Sequence, residues 1–242
     1  MEELTPEAWR RLLRRPLAAP ADLPLYGPLC GAAEFVLGRL AQSLDGYIAL
    51  RDGRSQWISG PEDIAHTHRV RALSDAVVVG AGTVRADDPQ LTTRLCEGPN
   101  PVRVILDPAL RLPATHRVFD GSVDTLVVAA GTARSANRVG AAEVLRVAGT
   151  EHALDLPALR AALRARGLRR LFVEGGGKTV ARFLAAGLLD RLHVTVAPML
   201  MGAGIPAFPL PPVDNLGEAP RYTWAVHPIG RDILLDIALT PP

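Results

Sequence analysis

A chain of 242 residues is long enough for one large α/β domain or two small ones. Its 48% hydrophobic content and mean hydropathy of +0.15 supply a buried core, but no apolar run approaches the ~18 residues that span a bilayer. A net charge of +2 excludes a strong global field for nucleic acid.

The N-terminal run MEELTPEAWRRLLRRPL begins acidic and has no apolar core ahead of a small-residue cleavage site, so no signal peptide and a cytoplasmic location are expected. Lys178 is the single lysine among 27 basic residues. Cys30 and Cys96 are isolated, which predicts neither a disulfide framework nor a zinc site.

Residues 6–15 read as a short arginine-rich helix with Arg10, Arg11, Arg14 and Arg15 on a solvated face, and the four prolines of 16–33 as an extended arm. The expected main domain, residues 34–242, opens with the strand EFVLGRLA (34–41). Pro61, followed by Glu62 and Asp63, predicts a helix to about Leu73. His66 and His68 do not share a helix face and are expected to be exposed rather than metal ligands. Continuous apolar runs predict strands buried on both faces at 75–80, 102–107, 125–130, 142–148, 170–174 and 191–198. Helices are expected at 133–140, 155–166 (with Asp155 as N-cap) and 178–186, and an antiparallel hairpin around Gly230 closes the chain. Strand–helix alternation predicts a mostly parallel sheet covered on both faces.

The segment LFVEGGGKTVARFL (171–184) poses the functional question. A P-loop needs glycine where Phe172 stands, and a G-x-G-x-x-G fingerprint begun at Gly175 reaches Val180, so both nucleotide motifs fail. What remains is a strand, three glycines and a helix start whose unpaired N–H groups favour an anion. A tight strand–helix turn is the competing reading. In GAGTVRADDPQLTTR (80–94), Asp87 and Asp88 before Pro89 read either as a helix stop or as hydroxyl binding by Asp87 with anion binding by Arg94. Trp57, beside Ser55, is either core or a flat surface for a heteroaromatic ring.

Taken in order, AQSLDGYIA, SQWISG, HRVRALSDAVVVGAGTVRADDPQLTTR, PVRVILDPALRLP, LFVEGGGKTVARFLAAGLLDRL and APMLMGAG resemble the reductase domain of the bifunctional riboflavin-biosynthesis deaminase/reductase, over roughly residues 34–240. That family is dihydrofolate-reductase-like. The resemblance implies a three-layer α/β/α sandwich with an antiparallel C-terminal hairpin, an NADPH cofactor and a homodimer. It implies reduction of 5-amino-6-(5-phosphoribosylamino)uracil to the ribitylamino compound.

Carried over position by position, Ser55, Arg71, Leu91, Arg94 and Glu174 are implied to contact substrate, the two arginines as forks for its 5′-phosphate. Ala41, Trp57, Thr83, Asp87, Gly175, Gly176, Gly177, Lys178, Thr179 and Val180 are implied to contact NADPH. Glu174, Arg39 and Asp45 are the candidate catalytic residues. Arg39 stands where the family usually has lysine, and Tyr47 where it often has a basic residue. Because arginine does not release a proton, water or Glu174 is expected to supply one. A deaminase's H-x-E and P-C-x-x-C are missing, so a separate deaminase is expected. The alternatives are a related reductase acting on a pterin or another heteroaromatic compound, and a catalytically silent nucleotide-binding protein.

Overall fold

The computed structural model describes residues 4–14 and 23–239. The chain runs α1 (Pro6–Leu13), α2 (Gly27–Gly31), β1 (Phe35–Ser43), β2 (Tyr47–Ala49), α3 (Pro61–Leu73), β3 (Ala76–Gly80) and α4 (Ala81–Asp87). It continues through β4 (Val102–Leu106), β5 (Thr125–Ala130), β6 (Arg138–Val139), β7 (Ala142–Val147), β8 (Gly149–Thr150), β9 (Ala153–Leu154), α5 (Leu156–Ala165) and β10 (Arg170–Val173). It ends with α6 (Gly177–Ala185), β11 (Arg191–Ala197), β12 (Ile205–Pro206), β13 (Trp224–Ile229) and β14 (Asp232–Ala238). A single large sheet has the order β13-β14-β11-β1-β10-β3-β4-β5-β7-β6. It is parallel from β11 to β7 and antiparallel at both edges.

Alternation along each buried strand divides the core in two. Val77 and Val79 of β3 face the cluster that holds Trp9, Leu12, Tyr26, Leu29 and Leu73, whereas Ala76 and Val78 face Leu159, Leu163, Val180 and Phe183 of α5 and α6. A strand with apolar partners on both faces gains nothing from polar alternation, which is why AVVVG and TLVVAA read as continuous apolar runs. Helices on both faces give the expected three-layer α/β/α sandwich. Among the described residues, no helix is long and apolar enough to cross a membrane.

Several local expectations are corrected. Residues 133–140 form turns and the edge strand β6, not a helix. Arg146 on β7 donates to the carbonyls of Ala130, Ala133, Arg134 and Ala136, taking acceptors that a helix would have used. Within the arm read as extended, Gly27–Gly31 is a short helix whose approach places Tyr26 edge-on to Trp9, with ring centroids 6.0 Å apart. The rest of that arm, 15–22, lies outside the described residues, as does Arg15 of the basic face. Residues 81–87, for which the sequence predicts no element, form α4, which ends where Asp88 turns left-handed (φ 39°).

His66 and His68 are buried, not exposed. Helix α3 is enclosed on several sides, so Asp63, His66, Thr67, His68 and Arg71 are all buried alongside Val70 and Leu73. A helix enclosed in this way carries no single apolar stripe from which burial could be read.

Candidate active site

A cleft of about 660 Å³ opens where β1, β3 and β10 end. This is the edge of a parallel sheet at which helix starts and loop ends converge. Of the residues singled out in the sequence, Arg39, Ala41, Ser55, Trp57, Thr83, Asp87, Leu91, Glu174, Gly175, Gly176, Gly177, Lys178 and Thr179 line it. Asp45, Arg71, Arg94 and Val180 do not.

The glycine turn is shaped by close approach as much as by conformation. Gly176, the N-cap of α6, has φ 63°, and a Cβ there would lie 2.9 Å from Thr83 Oγ1. A Cβ on Gly177 would lie 2.4 Å from the Ala207 carbonyl oxygen, because residues 206 and 207 cross directly over the turn. Two of the three glycines are thus required by the protein's own packing. The bare backbone and the unpaired first N–H groups of α6 still form a cradle that fits the phosphates of a dinucleotide. Lys178 is exposed at its rim, and Val180 packs its side chain into the core between the sheet and α6.

Glu174 follows β10 directly, and Arg71 of α3 grips its carboxylate with both Nε (2.6 Å to Oε2) and Nη2. Side chains here are only 8% and 14% exposed for Arg71 and Glu174, so the pair is largely desolvated. The third edge of Arg71 donates from Nη1 to the Thr92 carbonyl at 2.9 Å. Arg71 therefore holds Glu174 and the 92–94 segment rather than presenting an open fork. Arg94 is exposed, and its Nη1 donates to the Thr92 hydroxyl at 2.8 Å.

Arg39 is buried in β1 and paired through Nη2 with Asp63 of α3, whose other oxygen accepts from the Thr195 hydroxyl at 2.6 Å. Burial pushes the Asp63 carboxyl up, but Arg39 and the hydroxyls around it outweigh this and hold it below the usual range. Asp63, 24 residues from Arg39, was not singled out in the sequence, because nothing local links the two positions.

Asp45 accepts from the Ser43 hydroxyl (2.6 Å) and from the backbone N–H groups of Met201 and Gly202 (3.1 and 2.7 Å). The Ser43 hydrogen bond, then those backbone bonds, hold its carboxyl below the usual range. Its place is at the root of the 199–207 segment, which pairs as β12 with β2 and brings Ile205 and Pro206 over the cleft. Tyr47 is half-buried in β2. Asp87 sits at the cleft edge, its carboxyl pushed up by partial burial. Trp57, 77% exposed, and Leu91, buried, both take positive φ (69° and 55°), and Asp88 does so next to Asp87. Such conformations cost of order 1–3 kcal/mol and persist where surrounding contacts impose them.

A sequence model of the RibD C-terminal domain matches residues 34–228. The chain belongs to the RibD C-terminal domain family. It is 40% identical to the 2,5-diamino-6-ribosylamino-4(3H)-pyrimidinone 5′-phosphate reductase of Methanothermobacter thermautotrophicus, over 84% of this chain and 96% of that protein. It is 34% identical to the riboflavin biosynthesis protein RibD of Mycobacterium tuberculosis, over 84% of this chain but 53% of that one. Among solved structures, the deaminase/5-amino-6-(5-phosphoribosylamino)uracil reductase of Thermotoga maritima superposes with a TM-score of 0.72 at 30% identity, over 85% of this chain and 56% of that one.

The chain thus spans about half the length of its bifunctional relatives and nearly all of a shorter one. The family is one of reductases in riboflavin biosynthesis, a reaction class that requires a reducing nucleotide. The glycine cradle beside Glu174 is the feature of this fold that fits one.

Proposed function

We propose that the chain is an NADPH-dependent reductase of a 6-ribosylaminopyrimidine 5′-phosphate, producing the ribitylamino compound. The observation that carries this reading is the Arg71–Glu174 pair, set between the glycine turn and the segment bearing Arg94. Such an arrangement offers one carboxylate to polar groups of a pyrimidine or sugar and one free guanidinium to a phosphate, beside a cradle for a cofactor.

NADPH supplies the hydride for C1′ of the opened ribose. The chain's residues position and enclose. Glu174, held by Arg71, accepts hydrogen bonds from the substrate, and Arg94 pairs with its phosphate. Trp57 and Leu91 bound the apolar part of the cleft, with Ile205 and Pro206 covering it. Arg39, locked to Asp63, contributes fixed charge and no proton, so water delivers the proton that accompanies reduction, both Glu174 oxygens being engaged as acceptors by Arg71.

Two pyrimidines differ at C2. The relative matched along 96% of its length is named for the 2,5-diamino compound, which makes that the first substrate to assay and the 5-aminouracil the second. The 242 residues hold neither H-x-E nor P-C-x-x-C, so no deamination step is assigned to them. Loss of NADPH absorbance at 340 nm with either pyrimidine is the expected result. Turnover with a dihydropterin but with neither ribosylaminopyrimidine phosphate would replace this reading, and NADPH binding without turnover on any of them would make the chain a silent binder.

The functional unit in this proposal is a homodimer. Edge strand β13 and its neighbour β14 expose an apolar stripe, with Trp224 at 58%, Val226 at 53% and Ile233 at 48%. An unpaired edge with apolar residues on one face is a natural self-association surface. Light scattering is expected to give twice 25.8 kDa for the wild type and 25.8 kDa for Trp224→Asp. A monomeric wild type at assay concentration rejects the dimer.

A further inference from the structure

Residues 88–100 form a loop with no regular structure, and yet this loop carries Arg94. Its ends are tied down at Asp88 and Glu97, and four contacts fix the stretch around Arg94. The Thr93 N–H donates to Asn100 Oδ1 at 2.7 Å, and the Thr93 hydroxyl to the Pro99 carbonyl at 3.0 Å. Arg71 Nη1 grips the Thr92 carbonyl. The fourth comes from His68, whose Nδ1 accepts the backbone N–H of Arg94 itself at 2.9 Å.

His68 and Arg71 are neighbours three residues apart on α3, and both are buried. One turn of this helix therefore grips the loop at two points, while Arg71 simultaneously grips Glu174. The position of the Arg94 backbone relative to the Glu174 carboxylate is thus set by a rigid element as well as by the loop. We propose that His68 is a positioning residue, which fixes the backbone of Arg94 relative to Glu174 so that its guanidinium meets the phosphate of the ribosyl substrate. This rests on the reading of Arg94 as the phosphate-binding residue.

For Nδ1 to accept, the ring must be neutral with its proton on Nε2. Burial, then the Arg71 and Arg94 cations, push His68 down to about 4, with Glu174 opposing, so the acceptor persists at neutral pH. Nothing assigns a role to this histidine, and in the sequence it reads as one more polar helix residue.

The isosteric amides separate the two ring nitrogens. Asn places an amide oxygen near the position of Nδ1, and Gln places its terminal amide near Nε2. His68→Asn is expected to keep the wild-type KM for the ribosylaminopyrimidine phosphate and the wild-type inhibition constant for inorganic phosphate. His68→Gln and His68→Leu are expected to raise both roughly three- to tenfold, with kcat and the Kd for NADPH changed less than about twofold, as loss of one buried hydrogen bond implies. If Leu does not fold, the Asn/Gln pair decides.

A purely structural histidine would lower Tm in Gln and Leu and leave both constants unmoved, which overturns the proposal. Equal losses in Asn and Gln also overturn it. Arg94→Ala separates this failure from failure of the underlying reading. If Arg94→Ala leaves KM and phosphate inhibition unchanged, the phosphate assignment itself is wrong; if it raises them and His68→Gln does not, only the positioning role is rejected.

Discussion

Replacing Glu174 by glutamine is expected to lower kcat/KM for the ribosylaminopyrimidine phosphate about 10²-fold while leaving the Kd for NADPH within about twofold. The substitution keeps the shape and one acceptor but removes the charge. A hydrogen bond to a charged group in a desolvated site is worth about 1.5–3 kcal/mol, or roughly 10- to 150-fold, and Glu174 is 14% exposed. Stability should fall as well, because Arg71, 8% exposed, is left without its counter-charge.

Removing one member of a buried pair costs about 3–5 kcal/mol, and the retained amide oxygen should bring this towards the lower end. At about 2–4 °C per kcal/mol for a chain of this size, Tm should drop by roughly 6–12 °C. The assay is therefore run well below that temperature. Wild-type kcat/KM with both pyrimidines would remove Glu174 from the site. A loss confined to NADPH affinity would move it to the cofactor side of the cleft.

The same residues mark how far the sequence could be read. Buried parallel strands announce themselves through uninterrupted apolar runs, and the glycine triplet announces a turn that nothing with a Cβ could make. Gly177 shows the limit of that inference: its constraint is the carbonyl of Ala207, a contact between segments 30 residues apart that no local pattern encodes. Arg71 and Arg94 look alike in sequence, as two cations near an anion site. Only the fold separates them, since β10 delivers Glu174 to Arg71 and leaves Arg94 open.

Asp45 is a similar case. Its place in the conserved-looking run SLDGYIA marks it as chemical, but its oxygens face the backbone of Met201 and Gly202. The missed elements share one cause: α4 and β6 are short, and their boundaries follow from tertiary contacts such as those of Arg146 rather than from periodicity. The enclosed helix α3 hides its most informative residues, Asp63, His66 and His68, because burial on several sides erases amphipathic pattern.

Those histidines lead to the second large effect, a steep loss of stability below about pH 6.5. Tyr26 Oη lies 2.9 Å from His66 Nδ1, His66 Nε2 lies 3.2 Å from His193 Nδ1, and His193 Nε2 lies 3.3 Å from Asp236 Oδ1. With the Tyr26 hydroxyl as donor, His66 passes its Nε2 N–H to His193 and both rings stay neutral, while His193 Nε2 faces the Asp236 carboxylate without a well-formed hydrogen bond. Burial raises Tyr26 to about 12, so it remains a donor. Burial also pushes His66 well below 6.5, aided by His193 and Arg39, and lowers His193 despite Asp236 beside it. His68 is lowered to about 4.

In the unfolded chain each histidine takes its proton near pH 6.5. Between that value and the depressed folded value the unfolded state binds more protons, so stability rises with pH and is lost as pH falls through this window. His68 alone should contribute a loss of about 2 kcal/mol between pH 7.5 and pH 5, and His66 and His193 add to it in the same direction. Asp236, lowered to about 2 against the desolvation that opposes it, extends the decline to still lower pH. Urea unfolding from pH 7.5 to 5 is expected to show a fall of more than about 2 kcal/mol at constant m-value, smaller by about 2 kcal/mol in His68→Asn, which removes one titrating ring and keeps the Arg94 contact. A stability constant to within about 1 kcal/mol across that range would mean that these rings are protonated or solvated in the native state, and the neutral hydrogen-bond chain would have to be abandoned.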